Sequence, residues 1–75
     1  MNFKKGDYVR IIYHPKVYYK RGQLHQIAKI EEIDFSIEYP YYVRFISGQL
    51  KDQREIFDDK CLEIIPSDEA MVEEI

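Results

Sequence analysis

The residues best suited to chemistry lie in one loop that is rich in tyrosine and basic side chains. Tyrosine rings stack on nucleic-acid bases or pack against peptide side chains, and cations bind phosphates or carboxylates. The same residue types also seal the rim of a small domain while their charged ends stay in water, so both interpretations remain open. The candidates between residues 13 and 21 are Tyr13, His14, Lys16, Tyr18, Tyr19, Lys20 and Arg21.

A second aromatic cluster surrounds Pro40 and begins a segment dense in aromatic and β-branched residues. Side chains alternate between the two faces of a strand. Tyr41 should therefore point into the core together with Val43, while Tyr42 and Arg44 share the opposite face. We add Tyr42 and Arg44 to the predicted binding site on this basis.

Neither catalysis nor metal binding has a convincing motif in this sequence. The soft metal ligands are His14, His25 and Cys61, and no two of them have a spacing typical of a zinc site. No nucleophile motif or glycine-rich phosphate loop is present, and the serines lie in or beside predicted turns. We expect no enzyme activity, no catalytic residue, no metal and no cofactor.

Size and charge restrict the class of protein further. The 75 residues suffice for one small domain, and the single cysteine excludes an internal disulfide and fits a cytoplasmic location. No secretion signal or bilayer-spanning stretch is recognisable, so no membrane partner is expected. Residues 1–30 hold seven Lys and Arg against one Asp, whereas residues 31–75 hold four against thirteen acids. This asymmetry is typical of a basic binding region followed by an acidic one.

Short β-strands are the elements that must position these residues. The turn at Gly6 and Asp7 leads into an alternating apolar pattern, which predicts the first strand. Ser67 is a suitable cap for a short acidic helix. The predicted strands span 8–13, 23–33 with a bulge near Glu31, 41–46, 54–57 and 61–65, with a 3₁₀ turn at 58–60 before the last strand.

This arrangement resembles an SH3-like barrel of the KOW and Tudor-like group, which includes stand-alone bacterial and phage proteins. The resemblance rests on residues 5–10 at the opening and residues 57–64 at the close, and it covers about residues 3 to 65. It implies an all-β, five-stranded SH3-like barrel over residues 1–66, followed by an acidic helix or tail over residues 67–75. KOW-type sequences generally have a glycine where Gln26 or Ile27 stands here, and the absence of tryptophan argues against a proline-rich-peptide site.

Our leading hypothesis is a non-catalytic protein-interaction module or small regulatory adaptor, acting as a monomer or weak homodimer. Aromatic residues and arginine are enriched at protein interfaces, which favours a protein partner bound through the 13–21 loop, Tyr42 and Arg44. One alternative is a KOW or Tudor-like nucleic-acid-binding domain that uses Lys4, Lys16, Lys20, Arg21 and Lys29. The other is a phage or mobile-element regulator that inhibits a host protein through the acidic C-terminal half.

Overall fold

The computed structural model describes residues 3–13 and 21–74, and the side chains of Arg21 and residues 71–74 are outside that description. Five strands and one α-helix form in the described parts of the chain: β1 (Tyr8–Ile11), β2 (Ile27–Ile33), β3 (Tyr41–Phe45), β4 (Arg54–Phe57), β5 (Leu62–Ile65) and α1 (Ser67–Glu74). Short 3₁₀ turns lie at Arg21–Gln23, Gly48–Leu50 and Asp59–Cys61. The predicted all-β class, five strands and short C-terminal helix are confirmed.

The strands form one antiparallel sheet in the order β4-β3-β2-β1-β5. The sheet is not closed into a barrel, because the pairings of the described strands leave β4 and β5 at its two edges. The side chain of Asp58 accepts a hydrogen bond from the Lys60 N–H and starts the 3₁₀ turn. This turn separates the end of β4 from the start of β5, so β5 pairs with β1 instead.

Four predicted strand boundaries differ from the observed ones, and two of these, the end of β3 and the start of β5, differ by a single residue. β2 begins at Ile27 rather than residue 23, because His25 adopts a left-handed backbone conformation with φ of 67° that no strand tolerates. β1 ends at Ile11 rather than Tyr13, although the Ile12 N–H still donates to the Cys61 carbonyl at 2.8 Å. The turn before β1 forms as predicted: Gly6 has a φ of 94°, and its N–H donates to the Ile30 carbonyl at 2.7 Å.

One face of the sheet carries the main hydrophobic core. Tyr41 lies there as predicted, 2% exposed, with its ring edge-to-face against Phe3 at 5.4 Å between centroids. Cys61 is buried in the same core. The buried members of this core are Phe3, Val9, Ile11, Ala28, Ile30, Tyr41, Val43, Phe45, Phe57, Cys61 and Leu62.

The opposite face, called the outer face below, carries a second and smaller apolar cluster. Ile27, Ile46 and Ile65 are buried there against Ala70 of α1, and Tyr8 packs at the side of the cluster. Arg10 holds the helix at its first turn, with Nη2 at 3.2 Å from Glu69 Oε1. The helix is therefore docked on the sheet. The division of the chain at residue 66 stays a prediction.

Candidate binding surface

The outer face of the sheet carries a row of side chains across neighbouring strands, and three of the four are cationic. Tyr8, Lys29, Arg44 and Arg54 stand directly opposite one another on β1, β2, β3 and β4. Residues that face each other in this way have side chains on the same face of the sheet. The Lys29 ammonium lies 5.6 Å from the centre of the Tyr8 ring, a favourable cation–π distance.

Glu31, which lies in a β-bulge of β2, places a negative charge beside this row. The pairing with β3 shifts between Ile30 and Glu32, so that Glu31 is the extra residue. Glu31 Oε2 accepts a hydrogen bond from Arg44 Nε at 2.8 Å, and its Oε1 lies 3.5 Å from Arg54 Nε. One carboxylate thus bridges two arginines that would otherwise face each other as like charges. The sequence predicted a bulge near Glu31 but not this ion-pair network.

Asp52 is the second anionic partner of Arg44. Its Oδ1 lies 3.0 Å from Arg44 Nη1, and the residue adopts a left-handed conformation with φ of 70° in the turn between β3 and β4. The hydrogen bond that Arg44 donates to Glu31 is the main reason that the pKa of Arg44 is raised, and Asp52 adds to it. Arg44 is therefore fixed in position, and the two carboxylates largely compensate its positive charge.

Beside these charges lies an exposed apolar pair. Tyr42 on β3 stands directly opposite Ile56 on β4, and the two residues are 37% and 40% exposed. They share the outer face with Arg44 and Arg54, and we call the surface formed by Tyr42, Arg44, Arg54 and Ile56 the β3–β4 face. Ile56 was not predicted as a site residue, although its alternation with Arg54 was the signal that could have placed it there.

The charged row also borders a shallow groove. Its volume is about 310 Å³, and its lining includes Lys5, Lys29 and Arg44 together with Gly6, Ile30 and Glu31. The cations give this part of the surface a local positive charge on a protein with a net charge of −3.

The described residues include only part of the predicted tyrosine-rich loop, and His14 is among those that lie outside them. Lys16, Tyr18, Tyr19 and Lys20 lie outside the described residues, as does the side chain of Arg21. Tyr13 is 57% exposed beyond the end of β1. Tyr42 and Arg44 belong to the β3–β4 face.

Tyr39 lies in the loop that connects β2 and β3. The pKa of Tyr39 is raised. The negative charge of Glu38 is the largest cause, followed by desolvation and then by Asp58, Cys61 and Tyr13. Of the predicted site residues, Tyr42 and Arg44 lie together on the β3–β4 face, and the grouping of the others with them stays a prediction.

Cys61 has the surroundings of a structural, unreactive thiol. Burial and a hydrogen bond to Asp58 raise the pKa of Cys61 to about 12, so the thiol stays protonated at neutral pH. Within residues 3–13 and 21–74, no group of three or more His, Cys, Asp and Glu side chains is arranged to hold a metal ion.

Comparison with known proteins identifies no relative. No family model, curated protein or solved structure matches this chain. None of the helices in the described parts of the chain has the length and apolar character needed to cross a bilayer.

Proposed function

We propose that this protein is a non-catalytic, SH3-like interaction module that binds a protein partner through the β3–β4 face. The observation that carries the proposal is the exposed Tyr42–Ile56 pair between two arginines. Tyrosine and arginine are the residue types that contribute most to protein interfaces, above all around an apolar contact. On this chain they are supported by a rigid sheet, so little conformational entropy is lost on binding.

Three structural features support the SH3-like assignment. The strand order β4-β3-β2-β1-β5 places the first strand between the second and the last. A 3₁₀ turn at Asp59–Cys61 precedes the last strand, and the turn at Gly6 precedes the first. The long connection between β1 and β2, residues 12–26, matches the long first loop of the resemblance.

The ion pairs on this face favour a protein partner over a nucleic acid. Arg44 contacts two carboxylates, and Arg54 shares one of them, so neither cation is fully available for a phosphate. Phosphate contacts provide most of the affinity of nucleic-acid binding, and the net charge of −3 opposes that attraction. The nucleic-acid and host-inhibitor hypotheses stay predictions.

The proposal is tested by comparing what the wild-type protein and two variants retain from a native lysate. Tyr42→Ala removes the ring from the β3–β4 face, and Ile64→Ala serves as a control because Ile64 is 48% exposed on β5. We expect a protein that is captured by wild type and the control but lost with Tyr42→Ala. With that protein purified, Tyr42→Ala should weaken binding by at least about tenfold.

Two results would contradict the proposal. Tyr42→Ala could retain the same proteins as wild type, which would remove the β3–β4 face from the binding site. Alternatively, nuclease treatment of the lysate could abolish retention, which would favour the nucleic-acid hypothesis. Thermal unfolding of both variants shows whether a loss of binding reflects the surface or the fold.

A further inference from the structure

β4 leaves one side of its backbone without a strand partner. Among the described strands it pairs only with β3, at the edge of the sheet. The Phe45 N–H donates to the Gln53 carbonyl at 2.9 Å, which fixes the alternation of hydrogen-bonded pairs along β3 and β4. By that alternation, the N–H and C=O groups of Arg54 and Ile56 point away from β3. The Ile56 N–H accordingly donates to the side chain of its neighbour Glu55, at 3.2 Å.

We propose that this edge pairs antiparallel with β4 of a second copy of the chain, about a two-fold axis at Ile56. In this register Ile56 faces Ile56 of the second copy, and Arg54 faces Asp58 of the second copy. Asp58 continues the extended backbone beyond β4, with φ of −96° and ψ of 174°. The pairing therefore places an apolar pair at the axis, which stabilises antiparallel strands, and sets Arg54 opposite Asp58 on each side of it. Within one chain Arg54 Nε lies 3.5 Å from Glu31 Oε1, and Asp58 Oδ1 accepts a hydrogen bond from the Lys60 N–H. The attraction between Arg54 and Asp58 across the axis adds to these contacts and does not replace them.

The neighbouring registers lack this complementarity. An axis at Glu55 places two carboxylates directly opposite each other, and like charges in that position are destabilising. An axis at Phe57 places Ile56 against Asp58 and leaves Arg54 without an opposite charge. The sequence of β4 therefore favours the axis at Ile56.

The same pairing extends the β3–β4 face across the dimer. Tyr42 stands opposite Ile56 within each copy, so the axis brings Tyr42, Ile56, Ile56 and Tyr42 into one continuous apolar row. The exposure of Ile56, 40% in the single chain, would fall on association. The dimer thereby doubles the exposed aromatic surface on one side of a continuous sheet.

The expected association is weak, because β4 has only four residues. Such an edge buries much less than the roughly 1,200–2,000 Å² of a stable interface. We expect a dissociation constant of about 0.1–1 mM. The inference goes beyond the proposed binding function and is tested with the purified protein alone.

Sedimentation equilibrium from about 0.02 to 2 mM protein measures this association directly. Ile56→Lys places two like charges at the axis and should weaken association by at least about tenfold. Ile64→Lys makes the same change on the opposite edge strand and should leave association as in wild type. An equimolar mixture of Ile56→Lys and Ile56→Glu proteins should associate again, because the two new charges then face each other.

Several outcomes would overturn the edge pairing. Wild type could remain monomeric over the whole concentration range, or Ile64→Lys could weaken association as much as Ile56→Lys. The mixed variants could also stay monomeric, which would exclude the axis at Ile56. If circular dichroism shows that Ile56→Lys is unfolded, Arg54→Glu replaces it, since it sets two acids opposite each other and should weaken association to the same extent.

Discussion

Replacing Glu31 by glutamine tests the ion-pair network of the outer face. Glu31→Gln keeps the size of the side chain but removes the charge that joins Arg44 and Arg54. The bond between Glu31 and Arg44 is 2.8 Å long, and the two side chains are 35% and 25% exposed. The pair is thus intermediate between a surface ion pair, worth about 0–1 kcal/mol, and a shielded charged hydrogen bond, worth about 1.5–3 kcal/mol.

The expected loss of unfolding free energy follows from these two contributions. After discounting for solvent screening, the lost hydrogen bond contributes about 1 kcal/mol. Arg44 and Arg54 then face each other with reduced compensation, which adds about 0.5 kcal/mol. The sum of about 1.5 kcal/mol should lower the melting temperature by about 6–12 °C for a domain of this size.

Thermal and urea unfolding at low and high salt measure this effect. Glu32→Gln is the matched control, because Glu32 is the next residue along β2 and is exposed. We expect Glu32→Gln to change the melting temperature by less than about 3 °C. Salt should restore part of the stability of Glu31→Gln by screening the two arginines. Equal melting temperatures for the two variants would refute the bridging role of Glu31.

The remaining predictions concern the second cluster and two side chains with shifted pKa values. Ala70→Asp places a charge in the fully buried position under α1 and should lower the unfolding free energy by about 2 kcal/mol, measured by urea unfolding. Cys61 should react with a thiol reagent far more slowly in the native protein than in denaturant; equal rates would contradict its burial. Its raised pKa means that the stability it contributes is lost as pH rises from about 9 towards 12. Hydrogen bonds from the side chain and then the backbone of Ser36 lower the pKa of Asp34, so this stabilisation is present above its usual pKa of 3.8 and lost at lower pH. In NMR titration, Ser36→Ala should raise the pKa of Asp34, and an unchanged value would show that the hydroxyl has no influence.

Much of the fold could be predicted because local patterns determine it. Val9 and Ile11 alternate with Tyr8 and Arg10, and this period of two predicted β1. Tyr41 and Tyr42 were assigned to opposite faces by the same period of two, and their exposed fractions of 2% and 37% confirm this. The bulge at Glu31 followed from a break in the apolar spacing of β2.

The predictions that failed depend on contacts between distant parts of the chain. Closure of the sheet requires β4 to meet β5, and no local pattern reports whether two edge strands approach each other. The start of β2 was wrong because the left-handed conformation of His25 and the burial of Gln23, which is 7% exposed, follow from tertiary packing. Gln23 donates to Glu55 of β4 at 3.2 Å, a pairing across the fold that spacing along the chain does not indicate.

The candidate site could be predicted by residue type but not by grouping. Residue type and the alternation along the strand correctly assigned Tyr42 and Arg44 to one strand face. The register between strands, which the sequence does not specify by itself, added Ile56 and Arg54 to that face and Glu31 to its charges.

The cluster beneath α1 has a consequence for how the protein opens locally. Apolar side chains cover both faces of the sheet where β1, β2 and β5 meet, whereas β4 lies at an edge with Ile56 exposed on one face. Backbone amides in doubly covered strands are released only by global unfolding, and those at a singly covered edge by smaller openings. Hydrogen exchange should therefore be slowest at residues such as Val9 and Ala28 and faster along β4, so that the strand presenting the proposed binding face detaches more readily than the central strands.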